Sequence, residues 1–161
     1  LVTGRVLSTD GSPIQNAKLD VWQASAEGYY DIQQQEKFPD MNLRGIFRTD
    51  SDGKFGFCTE KPASYPIPTD GPVGVMLRAV GRHPWRPAHI HFIVSADEHE
   101  SLTTHLFVAG DPYLDSDVVQ AVKEGLVVDF QESNDSVEAN NFDLSTPYFK
   151  LHEEFVLAPT L

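Results

Sequence analysis

Turn signals interrupt this chain at short intervals, and they constrain its fold more than any other feature. They are Asp10-Gly11-Ser12-Pro13, Asp50-Ser51-Asp52-Gly53, Asp70-Gly71-Pro72 and Gly110-Asp111-Pro112. Glycine supplies a positive φ and proline presets the turn, so a long regular element does not run through such sites. Between them lie short segments rich in β-branched and aromatic residues. Leu1–Leu7, Ala17–Gln23, Lys54–Phe57, Ala88–Ser95, Thr103–Val108, Leu126–Phe130 and Tyr148–Leu157 all read as strands. In the last of these, Phe149, Leu151, Glu153 and Phe155 share one face, and Tyr148, Lys150, His152, Glu154 and Val156 the other. One helix is expected: Asp115-Ser116-Asp117 offers an N-cap ahead of Val118, Val119, Ala121 and Val122, and Gly125 offers a stop. Many strands and little helix point to an all-β antiparallel sandwich. Two connections are long for that architecture, Ser25 to Gly45 and Thr59 to Ala88, and long ordered loops in a compact domain are more often functional than idle.

Composition narrows the partners. The 161 residues suit one domain with one core. Acidic residues outnumber basic ones by 24 to 12, a formal charge of −12. That balance argues against nucleic acid and against an anionic membrane surface. No apolar run approaches the ~18 residues of a membrane span. Cys58 is the single cysteine, so no intrachain disulfide forms, and a reducing, cytoplasmic setting fits. No leader pattern precedes Leu1–Leu7, so the N-terminus reads as trimmed.

The sharpest local signal is Arg86-Pro87-Ala88-His89-Ile90-His91-Phe92. Residues two apart on a strand point the same way, so His89 and His91 can both reach one metal. The alternative is two polar residues on a solvated face. Ile90, Phe92 and Val94 supply the opposite, apolar face, which leaves the histidines facing the other side of the sheet or the long loops. Both loops carry tyrosines: Tyr29 and Tyr30 after Gly28, and Tyr65 in Ser64-Tyr65-Pro66-Ile67-Pro68. Tyrosines in such loops are usually packing residues. A phenolate, however, is a hard donor that suits iron(III), and with an ordinary pKa of about 10 it needs a strongly Lewis-acidic metal to form at neutral pH. His83 and His99 read as surface or loop residues, His105 as a core or pocket-wall histidine, and Asp111 and Asp115 as solvated or capping. Serine-hydrolase, zinc-protease, phosphate-loop and dithiol signatures are all missing.

Several of these stretches together resemble the intradiol ring-cleavage dioxygenases: Asp20-Val21-Trp22-Gln23-Ala24, Glu27-Gly28-Tyr29-Tyr30-Asp31, Tyr65, Asp70-Gly71-Pro72-Val73-Gly74 and the run from Gly81 to Phe92. The likeness runs from about Val2 to Phe155 and is strongest to the hydroxyquinol 1,2-dioxygenase branch, beside the catechol 1,2-dioxygenases. It implies a catalytic domain over residues 1–161 with one iron(III) per chain, held by Tyr30, Tyr65, His89 and His91. Tyr30 is selected over Tyr29 because the family tyrosine lies two residues after a glycine. Tyr30 and His89 would be equatorial, Tyr65 and His91 axial, with water or hydroxide completing the site. The resemblance further implies a small aromatic diol or triol and O2 as partners. Tyr65 would accept a substrate proton and Arg86 would offer donors to charge on the ring, which opens between its hydroxyl-bearing carbons. With hydroxyquinol the product would be 3-hydroxy-cis,cis-muconate, equivalent to maleylacetate. His105 stands where catechol-preferring members typically carry glutamine; with Gly71, Pro72 and Val73 it is expected to contact substrate. The family's N-terminal helical dimerisation segment has no counterpart here, which leaves a homodimer open. The rival classes are a zinc or iron hydrolase using His89, His91 and Asp111, and a binding module in which the histidine pair is structural.

Overall fold

The computed structural model describes residues 1–160. β1 (Val2–Ser8) alternates buried and half-buried residues, as a strand with one core face does. β2 (Lys18–Trp22), β3 (Arg44–Arg48) and β4 (Lys54–Phe57) follow. The second long connection is not structureless: it holds β5 (Tyr65–Pro66), α1 (Pro72–Ala79) and β6 (Trp85–Arg86). β7 (His89–Ser95) and β8 (Leu102–Val108) pair as neighbours. β9 (Val127–Val128), β10 (Gln131–Ser133), α2 (Ser136–Asn141) and β11 (Tyr148–Leu157) complete the chain.

One sheet has the order β10-β11-β1-β4 and the other β3-β2-β7-β8-β9; β5 and β6 form a separate ribbon. Val2, Val6, Phe57 and Phe155 of the first sheet meet Leu19, Ile90, Phe92 and Val94 of the second in one core. Phe92 sits between Phe57 and Phe155, with ring centroids 6.3 and 5.0 Å away. Burying each such ring stabilises the fold by roughly 1.5–3 kcal/mol. Gly4 permits a close approach on this face, since a Cβ there would lie 1.9 Å from the Glu153 carbonyl oxygen and 2.7 Å from the Phe55 ring.

The sandwich is therefore as expected, with three differences. It is mixed rather than purely antiparallel, because β1 pairs β11 in parallel and β8 pairs β9 in parallel. A parallel pair needs a long crossover, and the whole domain between Ser8 and Tyr148 supplies it. The expected helix after Asp115 does not form. Gln120 takes a left-handed φ of 56°, and the Asp117 carboxylate folds back to accept from Val119 N at 3.3 Å and Ala121 N at 2.9 Å. Helices form instead at α1, where Pro72 opens the first turn, and at α2, where the Asp135 carboxylate accepts from Val137 N and Glu138 N. On β11 the expected faces hold from Leu151 onward, with Leu151, Phe155 and Leu157 buried, but Phe149 is exposed and Tyr148 buried. No described helix is long and apolar enough to cross a membrane.

Candidate metal centre

β7 is the platform. Ile90, Phe92 and Val94 point into the core, so His89 and His91 point out of the sandwich on the opposite face. His91 is flanked across the sheet by Trp22 on β2 and His105 on β8. Trp22 lies flat on the His91 imidazole, centroids 4.6 Å apart and planes 4° from parallel. The two long connections close over this row.

The first connection delivers Tyr30. Tyr30 N donates to Gln33 Oε1 at 2.8 Å, and the buried Asp31 next to it accepts from Arg44 Nε at 3.0 Å to both carboxylate oxygens. Gly28 has a φ of +84°, and a Cβ there would lie 2.9 Å from the Tyr65 Cβ. Glycine thus lets the first loop lie directly on the second. The second connection delivers Tyr65 on β5, paired in register with Arg86 on β6.

Four donor atoms meet as a result. Tyr30 Oη is 2.8 Å from Tyr65 Oη and 2.9 Å from His91 Nε2, and His91 Nε2 is 3.1 Å from His89 Nε2. Metal–nitrogen and metal–oxygen bonds of about 2.0–2.2 Å put neighbouring ligands roughly 3 Å apart, so this spacing fits a single ion. The tautomer fits as well. His89 Nδ1 donates to the Pro87 carbonyl at 2.7 Å, which leaves the Nε2 lone pair for a metal. Tyr29 stays at the surface, 39% exposed.

Electrostatics favour a cation that can ionise phenols. Burial, then the neighbouring Tyr65, pushes the Tyr30 phenol above its ordinary value. Burial, then the Arg86 guanidinium, lowers His89 to about 3. Burial, then His89 and His105, lowers His91 to about 2. Both imidazoles are therefore neutral at pH 7, and the Tyr30 phenol is neutral until a strong Lewis acid arrives.

Arg86 borders the cluster. Its Nη1 lies 3.1 Å from His89 Nε2, its Nε donates to Asp117 Oδ1 at 3.3 Å, and its Nη2 is buried without a partner among the described residues. A buried orphan donor beside a metal site is a place for a ligand's oxygen or its charge. His105 faces the same space, 4.5 Å from His91 and 5.4 Å from His89 between centroids. The ligand atoms of the three histidines all lie within 4.8 Å of one another. Burial, then Arg86, lowers the His105 pKa. Gly71 caps α1, and Pro72 and Val73 open it with their side chains exposed.

Of the residues expected from sequence, the structure brings Tyr30, Tyr65, His89, His91, Arg86 and His105 together. Asp111 is elsewhere engaged: its two oxygens accept from Ala88 N and Tyr113 N, both at 2.9 Å. That removes the carboxylate a hydrolase reading needed. His99 is half-buried beside an exposed turn and His83 is half-buried near Tyr113, both away from the cluster. Asp117, Trp22 and the Asp31–Arg44 pair carry parts of the site that the sequence did not disclose. Asp117 was legible as a capping residue, and nothing in its neighbours pointed to Arg86.

Comparison with known proteins places the chain in a family. A family model described as Dioxygenase matches residues 1–151. The hydroxyquinol 1,2-dioxygenase of a Rhizobium species is 53% identical over 159 residues, covering 98% of this chain and 54% of that protein. The crystal structure of hydroxyquinol 1,2-dioxygenase from Pseudomonas putida superposes with a TM-score of 0.88 at 47% identity, covering 99% of this chain and 56% of that one. Catechol 1,2-dioxygenase from an Acinetobacter species superposes at 0.93 with 37% identity, covering 99% and 52%. The chain belongs to the intradiol ring-cleavage dioxygenase family, whose site is a non-haem iron centre. It spans about half the length of the curated relatives it matches, 54% of the Rhizobium protein.

Proposed function

We propose that this chain carries the O2-dependent intradiol cleavage of hydroxyquinol, benzene-1,2,4-triol, to 3-hydroxy-cis,cis-muconate. One iron(III) per chain would be held by Tyr30, Tyr65, His89 and His91. The observation that carries the reading is the convergence of two phenols and two imidazoles at 2.8–3.1 Å. When bound, iron(III) supplies the Lewis acidity that favours the ionised diol and keeps its ring electron-rich.

The chain's own residues do the rest. Tyr65 Oη takes one diol proton as the substrate enters, while Tyr30, tied down through Gln33, stays in place. Trp22 and the Pro87 carbonyl hold the two imidazole planes, so the donor set does not reorganise during reaction. Arg86 turns the unpartnered Nη2 toward negative charge developing on the ring, a fixed donor in a water-poor site. His105 gives the third ring hydroxyl a polar partner, whose burial without one costs about 1–3 kcal/mol. Gly71, Pro72 and Val73 complete the ring pocket in this reading, on the strength of family position alone.

Oxygen uptake and product absorbance with hydroxyquinol and with catechol test the proposal, together with the visible spectrum of the iron-loaded protein. A burgundy protein that consumes O2 faster with hydroxyquinol is the expected result. Stoichiometric zinc with no visible charge-transfer band overturns it. Catechol is the second reading, supported by the superposition on the Acinetobacter catechol 1,2-dioxygenase at a TM-score of 0.93.

A further inference from the structure

We propose that Asp117 is a positioning residue, which fixes the Arg86 guanidinium so that its terminal nitrogens face the reacting ring. The inference rests on the dioxygenase reading above and extends it to a residue outside the metal cluster. Arg86 is 7% exposed and Asp117 3%. A charge so buried is tolerated only when paired, and a long unbranched side chain holds one pose only when anchored.

The anchor is complete on the acid side. Asp117 Oδ1 accepts from Arg86 Nε at 3.3 Å and from Val119 N at 3.3 Å, and Oδ2 accepts from Ala121 N at 2.9 Å. The backbone around Asp117 is pinned too. Arg82 Nη2 donates to the Asp117 carbonyl at 3.0 Å, and Val118 N donates to the Trp85 carbonyl at 3.1 Å. The carboxylate therefore cannot follow the arginine if it swings, so the arginine is held to the carboxylate.

The point of attachment is the informative part. Arginine and carboxylate ordinarily meet as a bidentate fork, which occupies a terminal nitrogen. Here Asp117 engages Nε, leaving Nη2 without a partner among the described residues and Nη1 on the His89 ring nitrogen. A metal that claims the His89 Nε2 lone pair frees Nη1 as well. Nη1, already at the edge of the donor cluster, is then free for a ligand's oxygen or charge, and the acid on Nε sets its direction. The tight turn at Asp117, which displaces the helix expected after Asp115, is the local structure that builds this anchor.

The test is a double-mutant cycle on the iron-loaded protein, with Asp117→Asn, Arg86→Lys and both. Asparagine keeps the shape but loses the charge, and its amide nitrogen opposes one of the three donors. Iron content and the visible band should stay at parent values. Turnover per iron should fall about 10–100-fold with little change in KM, as for loss of an interaction made in the transition state. The double variant should be no slower than Arg86→Lys alone, because Asp117 acts through Arg86. 4-Nitrocatechol gives a readout separate from turnover, since its nitro group spreads charge over the ring. Its dissociation constant should rise roughly three- to tenfold in each single variant and no further in the double, in line with a lost oriented donor.

Additive losses in the cycle, or turnover per iron within twofold of the parent in Asp117→Asn, overturn the proposal. If Asp117→Asn accumulates no folded protein, Asp117→Glu replaces it in the same cycle. That variant keeps the charge but moves it by one methylene, so parent-like turnover there overturns the proposal equally. A parent that binds iron yet consumes no O2 with either diol removes the dioxygenase reading alone, and the 4-nitrocatechol cycle then decides the role of Asp117 by itself.

Discussion

Gly28→Ala should damage the metal centre from outside it, and Gly11→Ala supplies the control. Both glycines have a φ of +84°. An alanine in the left-handed region costs about 1–2 kcal/mol, partly offset by about 0.4–1 kcal/mol from a stiffer unfolded chain. At Gly11 nothing among the described residues lies within 4 Å of the added methyl, so that difference is the whole effect, a loss of about 1 kcal/mol. At Gly28 the methyl would sit 2.9 Å from the Tyr65 Cβ and 3.6 Å from its Cα. Tyr65 is buried and paired with Arg86, so it cannot simply swing aside. Overpacking of that kind costs a further 1–3 kcal/mol or so. Denaturant unfolding of the metal-free protein should therefore place Gly28→Ala roughly 1–3 kcal/mol below Gly11→Ala. Relief by movement of β5 would pull Tyr65 Oη from Tyr30 Oη, so iron content and the visible band should drop in Gly28→Ala only. Equal stabilities for the two variants, with a parental band in both, would refute the reasoning that Gly28 seats one loop on the other.

Tyr30→Phe should bleach or shift the visible band and weaken iron retention, whereas Tyr29→Phe should leave both unchanged; the reverse pattern would mean the wrong tyrosine of the pair is the donor. Arg86→Lys should keep iron but lose roughly ten- to thousandfold in turnover, because a point charge does not reproduce an oriented fork, and unchanged turnover at full iron occupancy would confine Arg86 to packing. Below pH 6.5 the metal-free protein should lose stability, since His89 is held at about 3 in the fold and takes a proton only on unfolding. The unfolded chain then binds more protons, so stability falls as pH falls, by about 1.4 kcal/mol per unit for each such histidine, and a flat curve between pH 6.5 and 5 would contradict it. His105→Phe should reduce the preference for hydroxyquinol over catechol, measured as the ratio of kcat/KM, and an unchanged ratio would remove His105 from substrate selection.

The histidine pair was legible because its chemistry is written in nearby positions. His89 and His91 share a face by strand period alone, and the core-facing Ile90 and Phe92 between and beside them fix which face. Tyr30 and Tyr65 needed family likeness, because nothing in the spacing of 30 and 65 says that two loops meet. What joins them is a missing Cβ at Gly28 and a two-residue ribbon pairing Tyr65 with Arg86, both tertiary facts. The helix expected after Asp115 failed for a related reason. A capping aspartate and a run of valines read as a helix start, but a long-range ion pair to Arg86 and a left-handed Gln120 turn the same residues into an anchor. The parallel pairing of β1 with β11 was equally hidden, since strand order between distant segments leaves no mark on either strand.

Charge balance explains why these particular side chains belong together. The Arg86 and Asp117 charges offset each other at the rim of the cluster, so they leave no net field for the site to absorb. His89 and His91 contribute none, since burial keeps both neutral. The remaining ionisable groups of the proposed ligand set are two phenols, and burial makes Tyr30 harder to ionise than a free tyrosine. A divalent ion over two phenolates would leave the buried site with no positive charge to stabilise an incoming dianionic ring. A trivalent ion over the same pair would leave one, and a diol binding as the dianion would surrender one proton to Tyr65 Oη, turning that ligand neutral, and the other to a hydroxide, so that the site as a whole stays neutral. Burying an unbalanced charge costs several kcal/mol, which makes a proton acceptor among the ligands a requirement of the site rather than a convenience. In the proposed mechanism Tyr65, backed by Gly28 and paired with Arg86 across β5 and β6, would be the ligand that takes that proton.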